Sequence, residues 1–357
     1  MHRRPFSLTL AGAATAALVA TSAAPTGGAS AAALQPAASA VSSSAMLTAP
    51  GTDGRIAFRR YFDAEHTTGA IFTVKPDGTG VRQVTHPSSA RLTTEPDWSP
   101  DGRWITYSVN PHGDEDRSRL AVIHPDGTGR TSLAGICVAP CLADGFPAWS
   151  PSGTQIAFQR GLGPRVHHNK VVAIFVVRVG TRAVRQVTQP GRQPTVDAPW
   201  QDEAPTWSPS GRTIAFERFS RSTDHQAIFT VRTDGTGLRR ITPWGLDASQ
   251  PDYSPDGRWI LFRTEEESDT AGNLDLVHPD GSRLHAVTHA APGRAKWLSS
   301  SFSPSGRRIT AGRYAVVDGE PGNADVFVMD LHGRHRHHVT RTPGKAESAP
   351  DWGPGRP

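Results

Sequence analysis

An all-β fold is what this sequence predicts, a six-bladed β-propeller of four-stranded blades, and three observations predict it. The hexapeptide Asp97-Trp98-Ser99-Pro100-Asp101-Gly102 recurs in close copies down the chain. Short β-type runs follow each copy in a fixed order, with no helical period between them. The N-terminal repeat lacks its first strand, and the C-terminus supplies one spare copy.

In chain order, residues 1–33 read as a signal peptide. His2-Arg3-Arg4 is a basic start, Leu8 to Ala20 is an apolar run too short and Ala-rich for a membrane anchor, and small residues near Ala24 and Ala31 offer cleavage sites. Arg3-Arg4-Pro5-Phe6 resembles a twin-arginine export signal. Residues 34–50, almost all Ala, Ser and Pro with little charge, read as a flexible linker. Residues 51–357 hold the repeats.

The aromatic of the hexapeptide falls at Trp98, Trp149, Trp207, Tyr253, Phe302 and Trp352, which gives periods of 51, 58, 46, 49 and 50 residues. Periods of this size mean repeated supersecondary units. After each Pro-x-Gly turn comes a second strand: Ile105-Thr106-Tyr107, Ile156-Ala157-Phe158, Ile214-Ala215-Phe216, Ile260-Leu261-Phe262 and Ile309-Thr310-Ala311. A variable loop leads to a third strand such as Ile228-Phe229-Thr230-Val231. A turn such as Pro125-Asp126-Gly127 then leads to a fourth strand ending in Val-Thr or Ile-Thr. Pro presets φ, Asp bonds the local backbone and Gly takes a positive φ, so these turns have a mechanism. The first repeat has only its second, third and fourth strands, from Ile56 to Val84, and Asp351-Trp352 completes it. Pairing of that C-terminal strand with the N-terminal blade closes the ring and removes open sheet edges.

This repeat, with its Trp-Ser-Pro-Asp-Gly, Ile-Ala-Phe, Ile-Phe-x-Val, Asp-Gly and Val-Thr segments, resembles the TolB-type, WD-like propeller repeat over residues 54–354. The resemblance implies a propeller without the α/β domain that TolB carries ahead of its own. It leaves function open, because the same repeat serves translocation proteins, peptidase propellers and polysaccharide lyases.

The turns between first and second strands and between third and fourth are short and uniform. The long irregular connections therefore gather on the opposite face, where ligands are expected. Arg60, Arg160, Arg218 and Arg313 lie two residues past the end of the Ile-x-Phe run, or its Ala311 counterpart, and point toward that face. They read either as a partial ring of forks for a carboxylate or phosphate, or as salt bridges to loop acids of neighbouring blades. Trp200, Trp244 and Trp297 stand in three successive links between blades, as sugar or peptide platforms or as caps on their own blades. The acids Asp114-Glu115-Asp116, Glu265-Glu266-Glu267 and Asp269 lack the spacing of a calcium loop and read as solvated charge. His66, His112, His167, His168 and His225 lie in the variable loops, and His335, His337 and His338 near the last strand. None has zinc-ligand spacing. Cys137 and Cys141, the only cysteines, read as a local disulfide in an oxidising compartment rather than a thiol redox pair.

No nucleophile elbow, Walker loop or dinucleotide fingerprint is present. The net charge of +5 raises the question of nucleic acid, but the arginines concentrate in fourth strands, where charge blunts sheet edges. The expected protein is an exported, secreted or periplasmic monomer. It has no cofactor, no metal, no nucleic-acid partner and no membrane span once the signal is removed. It binds a protein, peptide or glycan on its variable face. The alternative is a polysaccharide lyase or related hydrolase working at the channel mouth.

Overall fold

Every hexapeptide ends one strand and turns the chain into the next. The Ser hydroxyl accepts the N–H five residues on, from Trp104 to Ser99 at 2.9 Å and likewise from Gln155, Thr213, Trp259 and Arg308. The Gly sits at φ of +65° to +70°, a region that costs a glycine little. The computed structural model describes residues 51–88, 90–163, 171–190, 200–265, 272–291, 294–317 and 320–355. The targeting segment, the linker, His167, His168, Glu266, Glu267 and Asp269 lie outside the described residues. Among the described residues there is no α-helix, and no helix is long and apolar enough to cross a membrane.

The strands pair antiparallel in consecutive fours. Arg91–Trp98, Ile105–Pro111, Arg119–Ile123 and Thr131–Ser132 make one such group. Cys141–Trp149, Gln155–Leu162, Val171–Arg178 and Val184–Gln186 make the next. Gln201–Trp207, Thr213–Ser220, His225–Arg232 and Arg239–Arg240 follow, and then Ala248–Tyr253, Ile260–Glu265, Gly272–Val277 and His285–Ala286. Ala295–Phe302, Arg308–Val317, Asp325–Asp330 and His337–His338 come last in sequence. Asp53–Tyr61, Gly69–Val74 and Arg82–Gln83 take their fourth member from the C-terminus, Glu347–Pro354, with Ile56 opposite Trp352.

Both faces of these small sheets are buried, which is why the strands read as unbroken apolar runs such as Ile174-Phe175-Val176-Val177 instead of alternating. Each core cluster joins one group to the next. Ala148, Ile174 and Val176 pack on Trp207, Phe216 and Phe229 of the following group. Val326, Val328 and Val339 pack on Ile56, Phe58, Phe72 and Trp352, so the last repeat also meets the first. The Val-Thr ending has its own task. Thr85, Thr188, Thr242, Thr288 and Thr340 each accept, at 2.9 Å, a third-strand N–H fourteen residues earlier.

The strand carrying each aromatic is kinked. In five of the six the register slips three residues before the aromatic, where Glu95, Phe146, Ala204, Gln250 and Ala349 hold φ near +50°, while the strand of Phe302 slips between Trp297 and Ser300 without such a residue. A Pro follows each of the five, and Pro has no N–H to lose from the ladder. The bulge turns the next backbone atoms inward, and this makes the site described next.

Candidate binding site at the repeat axis

A cavity of about 110 Å³ is lined by the same three positions of each kinked strand: 95–97, 146–148, 204–206, 250–252, 299–301 and 349–351. The third position is the residue before the aromatic. It is Asp in three copies (Asp97, Asp252, Asp351) and Ala148, Thr206 or Ser301 in the others. Each Asp reaches across to the aromatic of the following repeat. Asp97 accepts the Trp149 N–H at 2.6 Å, Asp252 that of Phe302 at 2.7 Å, and Asp351 that of Trp98 at 2.7 Å. Ser301 donates to Asp351 at 3.0 Å.

Three carboxylates around one narrow space are poorly hydrated and repel one another. Burial pushes Asp252 up to about 7 and Asp351 up to about 6. Burial first, and then the charges of Asp351 and Asp252, push Asp97 well above the ordinary carboxylate range. One residue past the Phe of four second strands, polar side chains stand next to this lining. Arg59 spans Ser348 and Glu95, the latter at 3.1 Å; Gln159 accepts the Ala204 N–H at 3.1 Å; Glu217 accepts that of Gln250 at 3.2 Å. Arg263 pairs with Glu265 at 2.8 Å, and Lys296 approaches the same carboxylate at 3.7 Å. The cavity and these neighbours together offer carboxylate acceptors beside groups of both charges, an arrangement suited to a peptide segment more than to a single small anion.

Three of the four arginines expected as a ring are engaged by carboxylates. Arg160 forks onto Asp144 at 2.6 and 2.9 Å and donates to the Ile136 carbonyl at 2.9 Å; Arg218 forks onto Asp202 at 2.6 and 2.8 Å. Both are 6% exposed. Arg60 binds Glu347 at 2.6 Å and Thr342 at 2.9 Å, while Arg313 lies over the rings of Trp297 and Phe327. The partners are not loop acids of neighbouring blades. They are cross-strand neighbours in the same sheet: Asp144 faces Arg160, Asp202 faces Arg218 and Glu347 faces Arg60. A forked guanidinium held in this way presents no free fork to a ligand.

The tryptophans divide. Trp200 and Trp244 stack on each other at 5.3 Å, with Arg218 over the first and Arg240 over the second. Trp244 also covers Phe229. Trp297 is 1% exposed inside its own group. Two half-buried edges are thus available, but no open aromatic face. Cys137 and Cys141 are joined, with an S–S distance of 1.91 Å. With Asp144 they are the one set of three metal-capable side chains among the described residues whose ligand atoms lie within 4.8 Å, and the bond occupies both sulfurs. Of the described loop histidines, His66 stacks on Tyr61 and His225 lies 3.0 Å from Asp247.

Sequence reasoning took the Asp before the aromatic as part of the turn grammar and so missed Asp97, Asp252 and Asp351. The signal was present, because the turn forms equally well with Ala148 or Thr206 in that place.

A family profile described as the TolB beta propeller domain matches residues 53–270. An uncharacterised protein of Agrobacterium fabrum is 28% identical over 270 residues, covering 74% of this chain and 82% of that protein. Tol-Pal system protein TolB of Zymomonas mobilis is 46% identical over 56 residues, which span 16% of this chain and only 12% of that protein. The crystal structure of TolB from Acinetobacter baumannii superposes with a TM-score of 0.61 at 19% identity, covering 84% of this chain and 67% of that one.

Proposed function

The chain belongs to the TolB beta-propeller family, and on that premise we propose that it is an exported, non-enzymatic propeller that grips a protein or peptide at the variable-face opening of its axial cavity. The ring has six blades, closed by Glu347–Pro354 against Asp53–Tyr61, and it acts as a monomer in the periplasm or outside the cell. The observation that carries this reading is the cavity itself, to which every kinked strand contributes the same three positions. Axial carboxylates beside groups of both charges suit the end or turn of a polypeptide. A glycan has less support, since both tryptophan faces in the Trp200–Trp244 pair are covered.

A lyase or hydrolase at the same mouth would need a base aimed at its substrate. Each axial Asp instead commits an oxygen to a neighbouring backbone N–H, and no histidine is among the lining residues. The test is affinity capture of exported proteins on the wild-type chain and on an Asp97→Asn/Asp351→Asn variant. A discrete protein retained by the wild type and lost by the variant is expected. Equal capture by both, or loss of capture in a stably folded Arg160→Leu/Asp144→Leu variant alone, would count against the axial site.

A further inference from the structure

The face opposite the variable loops carries a charge pattern that the axial site does not use. The residue after the hexapeptide Gly is Arg in four copies: Arg103, Arg212, Arg258 and Arg307. All four are exposed, Arg103 with 75% of its side chain in solvent. They follow glycines of nearly identical φ, +65° to +70°, so equivalent turns present them in the same way. Among the described residues no hydrogen bond or ion pair engages the guanidinium of Arg212, Arg258 or Arg307, and that of Arg103 meets only Asp101 at 4.0 Å. Acids do occur on this side. Asp101 and Asp256 accept N–H groups within the hexapeptide turns, at 2.9 and 3.0 Å. In the turns between third and fourth strands Asp77, Asp126, Asp234, Asp280 and Asp330 each accept an N–H of their own turn, and Lys75, Arg182, Arg232 and Arg334 stand in the same turns. The four arginines are cations of this face without a close carboxylate partner, whereas the axial cavity is lined by Glu95, Asp97, Asp252 and Asp351.

We propose that this face docks on an anionic phospholipid bilayer, with Arg103, Arg212, Arg258 and Arg307 gripping lipid phosphates. Guanidinium forks match phosphate oxygens, and a basic residue near an anionic leaflet contributes favourably within a Debye length. The uniformity of the face favours a planar membrane over a soluble polyanion. The turns on this face are short and alike, and each of the four guanidinium groups follows a turn glycine of the same backbone conformation. Docked in this way, the protein turns its axial opening away from the membrane and toward a partner.

The test is co-sedimentation of the full chain with phosphatidylcholine vesicles, with and without phosphatidylglycerol. Wild type should bind the anionic vesicles about tenfold or more tightly than the neutral ones, and added salt should weaken it. An Arg103→Gln/Arg212→Gln/Arg258→Gln/Arg307→Gln variant with an unchanged melting curve should lose that preference. The corresponding Lys variant should keep part of it. Equal binding to neutral vesicles would assign the attachment to the apolar N-terminal run and overturn the proposal. So would an unaltered preference in the Gln variant. Capture on immobilised polyphosphate without any vesicle binding would make the face a polymer site instead, which also overturns it.

Discussion

The carboxylate of Asp351 accepts the backbone N–H of Trp98 at 2.7 Å across a sequence separation of 253 residues. The contact is the same as that of Asp97 with Trp149 and of Asp252 with Phe302, which join repeats adjacent in sequence. The C-terminal strand is thus held to the second repeat by the bond that joins repeats in the middle of the chain. Only the loop closed is longer, and loop-closure entropy grows slowly with length.

Trp352 should therefore behave as a core residue although it stands five positions from the C-terminus. It is 4% exposed, packs with Ile56, Phe58, Phe72 and Val328, and donates its indole N–H to the Gly54 carbonyl at 3.2 Å. Trp352→Ala is expected to cost about 3–5 kcal/mol in denaturant unfolding. Removing residues 347–357 should in addition bare the strand Asp53–Tyr61 and promote aggregation, read by light scattering. A truncated protein that stays soluble with an unchanged melting temperature would be the contrary result.

The axial carboxylates set a pH dependence whose sign is fixed. Their folded-state values lie above the unfolded ones, about 7 for Asp252 and about 6 for Asp351 against an ordinary 3.8. The folded state therefore holds protons that the unfolded chain releases. The stability due to the protonated forms is complete below about pH 4 and is lost as pH rises toward about 7. Asp252→Asn keeps an oxygen for the Phe302 N–H but cannot ionise. Melting temperatures across this window should fall less steeply in the variant, which should be the more stable protein above pH 7. Equal slopes, or a wild type that gains stability with pH through this range, would contradict the assignment.

Thr242 supplies a third measurement. Its hydroxyl accepts the buried Ile228 N–H at 2.9 Å, and the residue is 1% exposed. Thr242→Val keeps the volume and removes the acceptor, leaving a donor without a partner. A loss of about 1–3 kcal/mol by chemical denaturation is expected. Thr188→Val, in an equivalent bond to Ile174, should match it.

The repeat grammar was legible because each of its letters has a local cause. Ser99 and its counterparts cap a turn, Gly102 takes a positive φ, and Thr85 and its counterparts bond a strand N–H. Such effects act within fifteen residues, and a sequence displays them directly. The site was less legible because it is built between repeats. That Asp97 meets Trp149 and shares a cavity with Asp351 depends on which strands face the axis, and bulges at non-glycine residues such as Glu95 and Ala204 set this. One long-range pattern was readable in retrospect. Repeats with Arg two past the Phe and an acid five before the aromatic form ion pairs, as in Asp144 with Arg160 and Asp202 with Arg218. Where Val109 or Thr264 replaces the Arg, the acid is also replaced, by Thr93 or Ala248.

That pattern leads to the sharpest test of what the arginines do. Arg160 and Asp144 are a buried, forked pair flanked by Phe158 and Phe175, and burial pushes the Asp144 carboxyl upward even with the guanidinium in place. Taking away the cation alone leaves that carboxyl desolvated, so Arg160→Ala should cost about 3–5 kcal/mol. Taking away both charges for apolar groups removes the desolvation along with the attraction, so Arg160→Leu/Asp144→Leu should recover most of the loss. A ligand-binding arginine behaves differently: its loss would weaken partner capture with little effect on stability, and a second substitution at Asp144 would not restore it. Denaturation of the two single variants and the double, run beside the capture assay, separates the roles. Recovery of stability with capture intact assigns the pair to the fold, while failed capture in a stably folded double variant would return Arg160 to the binding surface.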